Sequence, residues 1–188
     1  MKFTTKQLTR TALLLALCIA SQFLKNTSVY ITGPIINAIL VITLLTVNLG
    51  AALVIAVITP VTAFFITGSP IMAGIPLMFP VIMCGNAILV LCTWIFMKKS
   101  RKKILLYTGM GVGCVLKAAF MWVMTSFVLF PLFGDNIAGY LPKPEALPKV
   151  LATAKVTFSM TQLITAVTGC VLAAIIMMPL KKYLKNED

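Results

Sequence analysis

The chain has 188 residues, of which 60% are hydrophobic and 11% are charged. Soluble domains carry about 25% charged residues, so this composition excludes a water-soluble globular protein and indicates a single integral membrane domain over residues 1–188. The net charge of +12 would suggest nucleic-acid binding in a soluble protein. Here the basic residues cluster at the ends of apolar segments, which membrane topology explains better.

The apolar runs predict an all-α bundle of six transmembrane helices. In chain order they cover about residues 8–24, 34–47, 51–67, 76–97, 104–130 and 155–180. The first run also resembles a signal peptide because Lys2, Lys6 and Arg10 precede it, but we expect a retained helix. Only Asn48-Leu49-Gly50 separates the second and third runs, so a single re-entrant segment is an alternative there. Pro60 is expected to kink the third helix.

The distribution of basic residues predicts the orientation. An even number of helices places both termini on one side of the membrane. The opposite side then carries only Lys25, Lys143, Lys149 and Lys155. The terminal side carries the larger group, which comprises Lys2, Lys6, Arg10, Lys98, Lys99, Arg101, Lys102, Lys103, Lys181, Lys182 and Lys185. This excess predicts that both termini lie in the cytoplasm. The expected location of the chain is the plasma membrane of a bacterial cell.

The longest predicted connection covers residues 131–154 and contains Pro131, Pro142, Pro144 and Pro148. Unstructured connections of this length are usually functional or disordered. Two interpretations are open, a lid over an outward-facing pocket and a solvated linker.

The fifth predicted helix carries a charge near its middle, Lys117. Gly109, Gly113 and Lys117 are spaced four residues apart and therefore share one helix face. A lysine at membrane depth costs roughly 2.5–3.5 kcal/mol on insertion scales. Glycines on the same face allow a neighbouring helix to approach closely. We therefore expect this stripe to face the interior, with Lys117 compensated by a partner, a wet cavity or an anionic ligand.

Other polar groups are predicted at a similar depth. Asn86 and Gln162 need hydrogen-bond partners in lipid and should face inward. Together with Lys117 and Trp122 they describe a small-ligand cavity with few polar groups on apolar walls. Interhelical hydrogen bonds without a ligand are the alternative. Gln162 belongs to an inward stripe on the sixth helix that also contains Lys155, Ser159, Ala166, Gly169 and Ala173.

The sequence lacks several signatures of chemistry. It contains no histidine, no phosphate-binding loop with the Gly-x-x-x-x-Gly-Lys-Ser/Thr pattern, and no evident pair of nucleophile and base. The five cysteines lie within apolar segments and are expected to be buried hydrophobic residues rather than metal ligands. The sequence therefore predicts neither an enzyme, nor a cofactor, nor a metal site.

The first helix carries a ladder of alanines, Ala12, Ala16 and Ala20, which forms a smooth face suited to close helix packing. Such a face could be an internal packing seam or an external docking surface. With six helices, about 190 residues and cytoplasmic termini, the chain resembles the substrate-binding S component of energy-coupling factor (ECF) transporters. Two further stretches are similar to that family, residues 33–38 leading into 49–52, and residues 76–89.

The resemblance implies a function and its partners. The chain would capture a vitamin or similar micronutrient from outside and dock, through Ala12, Ala16 and Ala20, on a transmembrane coupling subunit that carries two ATPases. The ligand would lie between the outer halves of helices four to six, in the region of Asn86, Lys117, Trp122 and Gln162. Lys117 favours an anionic or carboxylate-bearing ligand. A small self-sufficient carrier or channel, and a purely structural membrane subunit, are the alternatives.

Overall fold

The computed structural model describes residues 4–26, 28–99 and 103–184, which contain helices and no strand. The α-helices, in chain order, are α1 (Thr5–Gln22), α2 (Val29–Thr46), α3 (Leu49–Thr67), α4 (Pro70–Gly74), α5 (Met78–Lys99), α6 (Lys103–Val123), α7 (Phe130–Phe133), α8 (Leu147–Val156) and α9 (Gln162–Leu184). Two π-helical segments, Met124–Leu129 and Thr157–Thr161, continue α6 into α7 and α8 into α9.

Five helical stretches of the described chain are long and apolar enough to cross a membrane. They are α2, α3, α5, the continuous run 103–140 that begins with α6, and the run 144–179 that ends in α9. The chain is therefore a multi-pass membrane protein. The helix α1 is not among the five, since Lys6 and Arg10 lie in its first two turns.

The boundary between α2 and α3 is set by Asn48. Its Oδ1 accepts a hydrogen bond from the Ala51 backbone N–H at 2.8 Å and caps the first turn of α3. The α2 helix has 18 residues and α3 has 19, so these are two complete helices rather than one re-entrant segment. Ser28 caps the start of α2 in the same way, through the Tyr30 N–H. This cap places the start of α2 about one turn before the position predicted from the sequence.

Glycines allow two pairs of helices to approach closely. Gly113 lies against α5, where a β-carbon would be 3.1 Å from the Leu89 carbonyl oxygen. At Gly169 a β-carbon would be 2.6 Å from both the Asn37 Cβ and the Pro34 carbonyl oxygen. These contacts join α5 to α6 and α2 to α9, the two most extensive helix pairs. The prediction that the glycine face of α6 points inward is confirmed, since Gly109, Gly113 and Lys117 are all buried.

The connection predicted as a loop over residues 131–154 is mostly helical. It contains most of α7, two 3₁₀ turns (Gly134–Tyr140 and Pro144–Ala146) and most of α8. Ile137 is fully buried in an apolar cluster with Met72 and Ile75 from the α4 region. The solvated-linker interpretation is therefore wrong, because apolar residues such as Ile137 anchor the segment to the bundle.

The helix α1 packs against α2 and α3 with one face only. Cys18, Ser21 and Gln22 point inward and are buried. Ala12, Ala16 and Ala20 point outward and are exposed. The alanine ladder is thus not a packing seam within this chain.

Candidate ligand-binding site

A cavity of about 260 Å³ lies between α2, α3, α5, α6 and the segment that joins α8 to α9. Its walls come from the first half of α2, the second half of α3 and the first half of α5. All of these halves belong to the end of the bundle opposite the start of α1. The residues Ser69, Ile71 and Met72 in and beside α4 cover it from that end. Most of the wall is apolar, and a few polar side chains project into it, as is usual for small-molecule sites.

Lys117 supplies the charge of the cavity. Its side chain is 2% exposed. The Nζ atom donates hydrogen bonds to Asn37 Oδ1 at 2.6 Å and to Asn86 Oδ1 at 2.8 Å. Charged hydrogen bonds of this kind are each worth about 1.5–3 kcal/mol, which is enough to offset the insertion penalty of the lysine. The cost of burying the Lys117 charge is therefore offset by two neutral amide oxygens.

Pro60 orients one of these amides. Proline has no N–H, so the carbonyl of the residue four positions earlier, Ala56, loses its partner within α3. The Asn86 Nδ2 donates to that Ala56 carbonyl oxygen at 3.4 Å. The amide is thereby held with Oδ1 toward Lys117. Pro60 in α3 thus orients Asn86 of α5, which is a hydrogen-bond partner of Lys117.

The second amide is oriented within its own helix. Asn37 Nδ2 donates to the Gly33 carbonyl oxygen at 2.9 Å, one turn earlier in α2, and its Oδ1 faces Lys117. Asn37 was not among the site residues predicted from the sequence. The signal was present, because an amide within an apolar helix must face the interior for the same reason as Asn86.

The π-helical segment Thr157–Thr161 contributes to the cavity wall. Thr157 and Phe158 from this segment, and Gln162 just after it, line the cavity. A π-helical turn holds more residues than an α-helical turn and so rotates the residues before it relative to those after it. Ala166, Gly169 and Ala173 are buried as predicted for the sixth-helix stripe, whereas Lys155 is exposed. Lys155 is therefore excluded from the inward stripe by the change of helix phase.

The structure brings together three of the four residues predicted for the site. Asn86, Lys117 and Gln162 all line the cavity. Trp122 does not; it is 45% exposed and packs edge-on against Phe127, with 5.4 Å between ring centroids. Five residues correspond to about 140° around an α-helix, so Trp122 points away from the face of Lys117. Thr32 and Thr59, which were not predicted from the sequence, also line the cavity.

The arrangement can bind a small molecule that has polar and apolar parts. The polar side chains offer one ammonium group, amides and hydroxyls, and the rest of the wall is apolar. The segment 131–154 does not line the cavity itself; it packs on α4, which does. The cavity is therefore covered by two layers, α4 directly and the Gly134–Tyr140 turn behind it.

Comparison with known proteins identifies the family. A family model described as ECF transporter, substrate-specific component, matches residues 6–181, nearly the whole chain. Comparisons with curated proteins and with solved structures gave no match. The matched region contains the cavity, Lys117 and the exposed alanines of α1. The chain therefore belongs to the family of substrate-specific components of ECF transporters.

Proposed function

We propose that this chain captures a small, vitamin-like molecule outside the cell and delivers it to a coupling subunit that carries two ATPases. The observation that carries the proposal is a buried ammonium group at a cavity of about 260 Å³ inside a membrane-spanning bundle. A purely structural subunit would not need the space, because the hydrogen bonds of Lys117 to Asn37 and Asn86 already link three helices.

The cavity belongs to the outward half of the protein in this proposal. Six crossings, with α1 as the first, place both chain ends in the cytoplasm of the plasma membrane, as the excess of basic residues predicts. The described lysines Lys98, Lys99 and Lys103 then lie at the cytoplasmic end, and Lys143, Lys149 and Lys155 at the outer end. The cavity is lined by the halves of α2, α3 and α5 that lie toward this outer end.

The outward face of α1 is the proposed contact with the coupling subunit. Ala12, Ala16 and Ala20 are exposed along one face, and the exposed side chains of Leu13 and Leu17 flank them. Small side chains in a row let a partner helix approach closely in the bilayer. The buried face of α1 is held by Gln22, whose Nε2 donates to the Thr59 carbonyl oxygen at 3.2 Å. The exposed face is thus presented by a helix that is fixed to the cavity wall.

The test is a purification and a reconstitution. The tagged chain, extracted gently from its native membrane, should bring with it one further membrane subunit and two ATPases. In liposomes, the chain alone should not transport the small molecule that co-purifies with it, whereas the complex should do so with ATP. Transport by the chain alone would identify a self-sufficient carrier and contradict the proposal. A folded chain without ligand or partners would support a structural subunit instead.

A further inference from the structure

The charge of Lys117 is not neutralised by the described part of the protein. The described acidic residues, Asp135 and Glu145, are both exposed and lie in the segment 131–154, which does not line the cavity. Both partners of the ammonium group are uncharged amide oxygens. The cavity therefore carries one net positive charge in a region of low dielectric, where an opposite charge is attracted strongly.

The hydrogen bonds of Lys117 leave one donor for a ligand. A lysine ammonium group has three N–H donors and no acceptor. Two of them are used by Asn37 and Asn86. Each asparagine donates its own Nδ2 hydrogen bond to a backbone carbonyl, so the two oxygens stay directed at the lysine. The third N–H of the ammonium group remains available at the cavity that Lys117 lines.

The other lining residues restrict the anion. Lys117 is the single cationic side chain among the described residues that line the cavity. A phosphate monoester carries about −1.5 to −2 charges at pH 7 and would exceed this one positive charge, whereas a carboxylate matches it. The Gln162 amide offers further hydrogen bonds, and the Thr157 hydroxyl, which donates to the Thr153 carbonyl oxygen, can accept one. Ile71 and Phe158 offer apolar contact. The body of the ligand therefore needs both polar and apolar parts.

We propose that the ligand is a small monocarboxylate whose carboxylate accepts the third hydrogen bond of Lys117. This inference rests on the proposed function, since it names the chemical class of the captured molecule. The carboxylate lies at the Asn37–Lys117–Asn86 triad, and the remainder of the molecule extends toward Phe158 and the α4 cover.

The experiment compares acids with their own amides. The purified full chain is incubated with equimolar nicotinate and nicotinamide, biotin and biotinamide, and pantothenate and its primary amide. Thiamine is added as a cationic probe and pyridoxal phosphate as a phosphorylated probe. Native mass spectrometry identifies the retained probe, and titration gives its affinity. We expect retention of an acid, with its amide bound at least about tenfold more weakly, because the amide lacks the charge.

Three variants test the role of charge. Lys117→Met removes the ammonium group. Asn86→Asp places a carboxylate beside that group. Asn86 is chosen because the Nδ2 hydrogen bond that this substitution removes is long, at 3.4 Å. Both should reduce the acid-to-amide affinity ratio to about 1. Lys155→Met, which makes the same charge change on the exposed surface, should leave the ratio unchanged. Thermal melting of each variant verifies its fold. If Lys117→Met or Asn86→Asp fails to fold, the affinity ratio of the other variant decides.

Several results would overturn the inference. Equal affinity for acid and amide, or preferred retention of thiamine or pyridoxal phosphate, would show that charge pairing with Lys117 does not select the ligand. The proposed function would survive those results, because a molecule would still be captured. Retention of no probe by the folded chain would also contradict the inference. Co-purification of the ATPases then decides separately whether the proposed function stands.

Discussion

Gly169 is the position where the smallest substitution should have the largest effect. A β-carbon there would lie 2.6 Å from the Asn37 Cβ and from the Pro34 carbonyl oxygen. Carbon atoms in contact prefer about 3.5–4.0 Å, so Gly169→Ala must separate α2 from α9 by about 1 Å. The neighbouring atoms are backbone atoms and a β-carbon, which cannot move aside by a change of rotamer.

The expected cost of Gly169→Ala follows from this overlap. Overpacking a fitted interior costs about 1–3 kcal/mol. At about 2–4 °C per kcal/mol for a chain of this size, the melting temperature should fall by roughly 2–12 °C. The shift also displaces Asn37, whose Oδ1 now lies 2.6 Å from Lys117 Nζ, and should break this hydrogen bond. The loss of this charged hydrogen bond should weaken ligand binding by about tenfold or more.

The matched control is Gly111→Ala. Gly111 is exposed on α6, and no atom lies within 4 Å of a β-carbon placed there. Alanine favours helix over glycine by roughly 0.5–1 kcal/mol, so this variant should melt at the same temperature or slightly higher. Melting is measured in detergent by size-exclusion chromatography after heating, and affinity by calorimetry. Equal melting temperatures for the two variants would refute the close α2–α9 contact and the reasoning from it.

Three further predictions concern the faces around the site. Ala16→Trp should leave melting and ligand binding intact but abolish co-purification of the ATPases; unfolding of this variant would instead make the alanine face a packing surface. Ile137→Ala removes a fully buried side chain at a cost of about 2–5 kcal/mol. It should increase tryptic cleavage after Lys149, with ligand restoring protection, and unchanged cleavage would contradict the two-layer cover. Trp122→Ala should change affinity by less than twofold, whereas Phe158→Ala should weaken binding, since only Phe158 lines the cavity; the reverse order would contradict the placement of the cavity.

The interior position of Lys117 was predictable because it follows from helix periodicity and the cost of a charge in lipid. The amide oxygen of Asn37 was not predicted as its partner, because that contact depends on how α2 and α6 are aligned, which no local pattern specifies. The same periodicity that placed Lys117 also excludes Trp122, which was selected by depth alone. Depth along a helix gives the level of a residue in the membrane but not its direction around the axis.

The helices of the outer connection were harder to predict than the spans. Prolines at 131, 142, 144 and 148 suggest a loop, yet Pro131 and Pro148 lie at the first turns of α7 and α8, where proline is tolerated. The π-helical segment Thr157–Thr161 has no clear sequence signature and rotates Lys155 away from the cavity. Burial of Ile137 against α4 holds the connection in place, and that contact joins parts of the chain about 60 residues apart.

The central claim is that a small molecule is bound in the cavity beside Lys117, and filling that cavity tests it most directly. Ala63 lines the cavity and is 7% exposed, so Ala63→Phe should occupy the space. Ala119→Phe places the same side chain on the exposed surface of α6 and serves as the control. Native mass spectrometry of the gently purified proteins should show one bound small molecule on the wild type and on Ala119→Phe, and none on folded Ala63→Phe. Retention of the same molecule by Ala63→Phe would contradict the account.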